Sequence, residues 1–126
     1  MKKTVIKPAK AAAAVGPYNH AVRVCDLLFT AGQIPLDPAT GQLVAGGIKA
    51  QTERVLENIK IILEDQKLSF AQVVKTTVFM TNLADFAPMN EVYARYFTSD
   101  FPARSTVQVA ALPKGAAVEI EAVAAF

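Results

Sequence analysis

The sequence predicts a two-layer α+β domain in which two helices cover one face of a five- or six-stranded sheet. Three observations predict it. Short runs alternate apolar and polar residues with period 2, as half-buried strands do. Two longer stretches repeat their apolar residues at spacings of three and four, and the order along the chain is strand, strand, strand, helix, strand, helix, strand, strand. Two helices cannot cover both faces of so wide a sheet, so the opposite face is left without cover from its own chain. The 126 residues suit one domain, 1–126, long enough for a real core and short for two.

A short strand around Thr4 to Ile6 leads into a segment that Pro8, Gly16 and Pro17 break too often for either period. Ala21 to Val24 and Leu27 to Ala31 read as strands joined tightly through Asp26. Cys25 extends the first of them as a partly buried, inert thiol. Asp37-Pro38-Ala39-Thr40-Gly41 is a surface turn. From Ile48 to Gln66, Ile48, Val55, Leu56, Ile59, Ile62 and Leu63 mark the clearest amphipathic helix, with Lys49, Glu53, Glu57, Lys60 and Glu64 between them. Ser69 to Gln72 makes a short turn before a strand at Val73 to Met80. Asn82 or Asp85 then caps a second helix running through Phe97, with Phe86, Met89, Tyr93 and Phe97 as its apolar stripe, and Pro102 forbids its continuation.

Two strands, Arg104 to Ala111 and Val118 to Val123, flank a Pro113-Lys114-Gly115 turn. If they pair as an antiparallel hairpin their apolar faces coincide, because a one-residue slip would put the whole hydrophobic set in water. Arg104, Thr106, Glu119 and Glu121 then share the other face. An Arg fork suits a carboxylate or phosphate, and a nearby Glu can bind water or carry a proton. On pattern alone the favoured reading is a cross-strand ion pair on a solvated face, which is worth little.

Apolar residues make up 52% of the chain and charged ones 19%, much apolar surface for a small globule to hide, so oligomerisation is expected. The net charge of +2 arises largely from Lys2, Lys3, Lys7 and Lys10 and makes no nucleic-acid stripe. Ala11 to Val15 is too short an apolar run for a signal segment, and nothing approaches the ~20 apolar residues of a membrane span. A single cysteine excludes an internal disulfide and suits a reducing cytosol, so a cytoplasmic location is expected.

One His and one Cys argue against zinc, the acidic residues lack calcium-loop spacing, and Gly46-Gly47 lacks a Walker lysine or dinucleotide fingerprint, so no metal or cofactor is expected. His20, without a G-x-S-x-G elbow, reads as a solvent-exposed or satisfied loop histidine. Tyr18, Asn90 and the Ala31-Gly32-Gln33-Ile34-Pro35 bend remain as possible lining for the Arg and Glu pair. Gly32 by itself reads as turn geometry and Phe86 as core.

Gly16-Pro17-Tyr18, Thr30-Ala31-Gly32-Gln33-Ile34-Pro35, Val74-Lys75-Thr76-Thr77-Val78-Phe79, Asn90-Glu91-Val92-Tyr93, Phe101-Pro102-Ala103-Arg104-Ser105 and Val118-Glu119-Ile120-Glu121-Ala122 together resemble the Rid family. The resemblance is to its RidA group of reactive-intermediate deaminases and covers essentially the whole chain. It implies a chorismate-mutase-like α+β fold with a mixed sheet, assembled as a homotrimer with sites in clefts between subunits. It also implies cofactor-free hydrolysis of 2-imino acids or their enamine tautomers, such as 2-aminoacrylate and 2-iminobutanoate, to 2-keto acids and ammonia.

Residue by residue, the resemblance assigns Arg104 to the substrate carboxylate and Glu119 to the attacking water or proton transfer. The backbone around Gly32 and Thr106 would add polar contacts, while Tyr18, Ala31, Phe86 and Asn90 would line the cleft, partly from a neighbouring subunit. Thr106 stands where many RidA proteins have Cys, and Ala31 where many have Ser, which bears on rate and substrate range more than on reaction class. Two other readings are weighed: a regulatory protein holding 2-keto acids without turnover, and an RNA-binding ribonuclease or translation inhibitor. Weak charge argues against the latter.

Overall fold

A computed structural model describes residues 2–126. Strands β1 (Lys3–Ile6), β2 (Ala21–Val24) and β3 (Leu27–Thr30) precede helix α1 (Ile48–Asp65) and strand β4 (Val73–Met80). Helix α2 (Phe86–Tyr96) and strands β5 (Ala103–Gln108) and β6 (Val118–Ala125) complete the chain. The order of elements is the expected one. The strands form one six-stranded sheet, β1-β2-β3-β6-β4-β5, antiparallel throughout except for the parallel pair of β4 and β5.

The period-2 pattern decides which face meets the helices. Along β6, Val118, Ile120, Ala122 and Ala124 are buried while Glu119, Glu121, Val123 and Ala125 are only half-buried. Val78 and Met80 of β4 and Leu28 of β3 join the buried face. Against it α1 packs Val55, Leu56, Ile59, Ile62 and Leu63, and α2 packs Met89, Val92 and Tyr93. Burying a side chain of this kind stabilises the fold by roughly 1.5–3 kcal/mol. The Tyr96 hydroxyl donates to Glu57 Oε2 at 2.8 Å and ties the helices together. This is the α+β, two-layer, mixed-sheet architecture the sequence predicts.

The other face carries no helix. Val5, Leu27, Phe29 and Val107 are exposed on it, Phe29 by 43%. Among the described residues, no helix is long and apolar enough to cross a membrane.

The expected hairpin of the last two strands does not form. After α2 the chain returns as β5, parallel to β4 at the sheet edge, and β6 then enters the slot between β3 and β4. With β4 between them, β5 and β6 need not match apolar faces. Arg104 and Thr106 lie opposite Thr76 and Val78 on the helix-covered face. Ser105 and Val107 pair with Thr77 and Phe79, the residues that also oppose Glu121 and Glu119, on the uncovered face. The apolar appearance of Ser105 to Ala111 belongs to an edge strand whose uncovered side is the apolar one, and β5 stops at Gln108 rather than Ala111.

Smaller corrections have local causes. Cys25 is exposed and lies outside the strand, at φ 52° in the tight turn between Val24 and Leu27. Asn82 accepts from the Ala84 amide at 2.9 Å and caps a 3₁₀ turn at Leu83–Asp85, so α2 begins after it at Phe86. The helix ends at Tyr96 because Phe97 turns extended, with φ −112° and ψ 98°, as the chain heads for Pro102. The Asp37 turn is as expected, closed by Gly41 N donating to Asp37 O and Ala39 N donating to Asp37 Oδ1, each at 2.8 Å.

Candidate active site

The residues singled out in the sequence fall into two groups on opposite faces. The first surrounds Arg104. Its guanidinium carbon lies 4.7 Å from the centroid of the Tyr93 ring and 5.5 Å from that of Phe86. A shallow cleft beside it is lined by Asn90, Tyr93, Ala94, Phe97, Phe101 and Pro102. Phe86, Asn90 and Tyr93 share one stripe of α2, with Phe97 just past its end, so the helical period that buries Tyr93 also carries Asn90 to the cleft and Phe86 to the guanidinium. Phe86 is 39% exposed, a wall of the Arg104 site rather than core.

Thr106 follows on the same face of β5. Among the described residues its Oγ1 is a buried side-chain oxygen with no hydrogen-bond partner. Leaving a buried hydroxyl unpaired costs about 1–3 kcal/mol, which marks this atom as an unmet polar group beside Arg104.

The second group surrounds Glu119. Gln33 bridges to β6 in both directions, its amide donating to Ile120 O at 2.8 Å and its carbonyl accepting from Ile120 N at 3.1 Å. That ladder sets Gly32 beside Glu119. A Cβ on Gly32 would fall 2.7 Å from Glu119 Oε2 and 2.8 Å from its carboxyl carbon. The glycine is therefore required for space around the carboxyl, not for a turn conformation.

Burial and, second to it, the charge of Glu121 hold the Glu119 carboxyl above the ordinary glutamate range. A cavity of about 180 Å³ opens here, with Tyr18, His20, Gly32, Gln33, Lys114 and Glu119 among its lining. Asn58 of α1 holds its floor by donating to Ile34 O at 3.2 Å and Leu36 O at 2.9 Å. Ala31 N donates to His20 O at 2.8 Å, and the His20 ring meets Ala12 O and the Gln33 amide, so of the two loop states expected for it the satisfied one is found. Tyr18 is 45% exposed and turns its ring edge to His20.

Gly32, Tyr18 and Glu119 thus come together, as do Arg104, Phe86 and Asn90, but the two sets project from opposite sides of the sheet. Sequence reasoning missed Tyr93 and Phe101 beside Arg104, and Asn58 and Lys114 around Glu119, while Gln33 lies in the bend it had named as lining. Tyr93 carried a usable signal, since it lies three residues after Asn90 on the same helical face. Asn58 carried none, because its carbonyl partners lie far away in sequence. Among the described residues no group of three or more His, Cys, Asp or Glu could hold a metal ion.

A family model described as Endoribonuclease L-PSP matches residues 8–126. The chain belongs to the Endoribonuclease L-PSP family. Within it, the chain is 49% identical over 122 residues to the 2-iminobutanoate/2-iminopropanoate deaminase of Homo sapiens, covering 97% of this chain and 89% of the human one. The crystal structure of YyfA of the conserved Rid protein family from Yersinia pestis superposes with a TM-score of 0.96 at 46% identity, covering 99% of this chain and 100% of that one. The E. coli TdcF structure with bound serine superposes with a TM-score of 0.92 at 43% identity, covering 98% of each chain. The Rid-family resemblance read from the sequence therefore holds over the whole fold of this Endoribonuclease L-PSP family member.

Proposed function

We propose that this chain, acting as a single 1–126 domain, is a cofactor-independent deaminase of reactive 2-imino acids and their enamine tautomers, working as a cytoplasmic homotrimer with sites between subunits. The observation that carries the reading is the near full-length match to a relative named for 2-iminobutanoate and 2-iminopropanoate. The geometry supplies means for it. Arg104 binds the substrate carboxylate, supported by Phe86 and Asn90, while Glu119, with Gly32, Ala31 and Tyr18 beside it, handles water and protons.

Because Arg104 and Glu119 project from opposite faces of one sheet, a site using both needs the Arg104 group of one copy and the Glu119 group of another. The uncovered face, with Phe29, Leu27, Val5 and Val107 exposed, supports such an assembly.

The chemistry balances with these groups alone. The imine carbon is already electrophilic, so a water held by Glu119 adds to it and gives up one proton to the carboxylate. The carboxylate passes that proton to nitrogen, giving the amino alcohol; it then takes the hydroxyl proton and delivers it to the same nitrogen as the carbon–nitrogen bond breaks, leaving the keto acid and ammonia. An enamine first takes a proton at its terminal carbon and gives one up from nitrogen to become the imine. A carboxyl whose pKa lies above the ordinary glutamate range is suited to both directions of transfer. The Thr106 hydroxyl, unpaired among the described residues, completes the Arg104 side.

The test is ammonia release from imines generated by a threonine dehydratase, with and without the protein. Wild type accelerates release and Arg104→Ala does not, while both keep the same oligomeric state. No acceleration by wild type over buffer rejects the reading. A second reading, a sensor holding 2-keto acids without turnover, is favoured by one observation, the bound serine in the TdcF structure. It predicts saturable 2-oxobutanoate binding, lost in Arg104→Ala, with no catalysis.

A further inference from the structure

Arg104 is flanked by side chains from two elements, β4 and α2. Thr76 of β4 stands directly opposite it on the neighbouring parallel strand, on the same face, and is fully buried. Tyr93 descends from α2, its hydroxyl 2.7 Å from Thr76 Oγ1 and its ring stacked on Phe97 at 4.4 Å between centroids and 25° between planes. The Arg104 guanidinium lies over that same ring at 4.7 Å. Core filling alone does not call for this hydroxyl pair, since Phe at position 93 and Val at 76 would keep the volume without burying two polar atoms.

The hydroxyl pair ties the Tyr93 ring of α2 to β4. A guanidinium on a long flexible stem then has a defined platform. We propose that Tyr93, locked by its hydrogen bond to Thr76, is the positioning residue that preorganises the Arg104 fork for a carboxylate. This rests on the reading that Arg104 receives the substrate carboxylate. The Phe86 ring, 5.5 Å from the same guanidinium, limits its movement further. A fork held in place before the ligand arrives loses less freedom on binding, so the brace acts on affinity for the anionic group rather than on the bond-breaking step.

The experiment compares assembled wild type with Tyr93→Phe, Thr76→Val and the double variant. Calorimetry measures binding of 2-oxobutanoate and of its uncharged amide, and steady-state kinetics measure KM and kcat. Each single variant weakens 2-oxobutanoate binding by about three- to tenfold, and the double variant is no worse than either, because the two hydroxyls act as one unit. Affinity for the amide stays level, and KM rises while kcat holds.

A second readout needs no ligand. The Arg104 Nε–H NMR signal, assigned with Arg104→Lys, shows a lower heteronuclear NOE in both single variants than in wild type. Unchanged keto-acid affinity and an unchanged NOE in Tyr93→Phe and Thr76→Val would overturn the proposal and leave the pair as core packing, as would equal weakening of acid and amide. Should wild type release no ammonia and bind no keto acid, the functional reading fails, and the NMR result still decides the brace.

Discussion

Arg104 and Glu119 project from opposite faces of a single sheet. Arg104 lies opposite Thr76 on β4 beneath α2, and Glu119 lies opposite Phe79, three residues along the same strand on its uncovered side. On the proposed reading, the cation that holds the carboxylate and the carboxyl that handles protons are thus parts of two half-sites. Each has its own surroundings: Arg104 rests on aromatic rings, and Glu119 rests against a glycine.

Gly32→Ala tests the Glu119 half. The new methyl collides with the carboxyl, the far end of a flexible side chain, so Glu119 swings away and the fold is nearly undisturbed. Imine deamination falls by about 10²-fold, the scale of a misplaced catalytic group, with little change in melting temperature. Full activity in this variant would show that the Glu119 position beside Gly32 is not the working one.

Thr106→Val separates stability from function. Removing a buried hydroxyl without a partner should stabilise the fold by on the order of 1 kcal/mol in denaturant titrations, while lowering kcat/KM. A loss of stability would mean that the hydroxyl is paired in the assembled protein.

The raised pKa of Glu119 sets two pH dependences. Between the ordinary glutamate value of 4.5 and its own higher value, the folded chain binds more protons at this site than the unfolded chain does. The contribution of Glu119 to stability is therefore full below 4.5 and is lost as pH rises through the raised value. Denaturation midpoints of wild type against Glu119→Gln should show that difference grow with pH over this window. In catalysis the carboxylate is the water-activating form, so the acid limb of kcat/KM sits above 4.5. An acid limb at or below that value would assign the base to another group.

The fold was legible because its signals are local. The Val73 to Met80 strand and the Ile48 helix start were readable from period and apolar spacing, and Asn82 was readable as a cap. Strand order was not. Whether β6 pairs with β5 or inserts between β3 and β4 depends on long-range hydrogen bonds that leave no periodic mark, and that choice alone turned Arg104 from the Glu119 face to the helix face. The site residues could be found by type and motif, but Gly32 was misread as a turn glycine because the crowding comes from Glu119, distant in sequence. Phe86 was misread as core because the helical stripe extends past the edge of the sheet's cover.

The most direct test of the central claim mixes two inactive chains. Arg104→Ala keeps Glu119, and Glu119→Gln keeps Arg104, so a site formed between copies can draw one intact half from each. Co-refolded at equal ratio with random assortment into closed trimers, the mixture should recover about a quarter of wild-type deamination per chain. Activity no higher than the sum of the two parents, in mixed assemblies of wild-type size, would contradict a site shared between subunits.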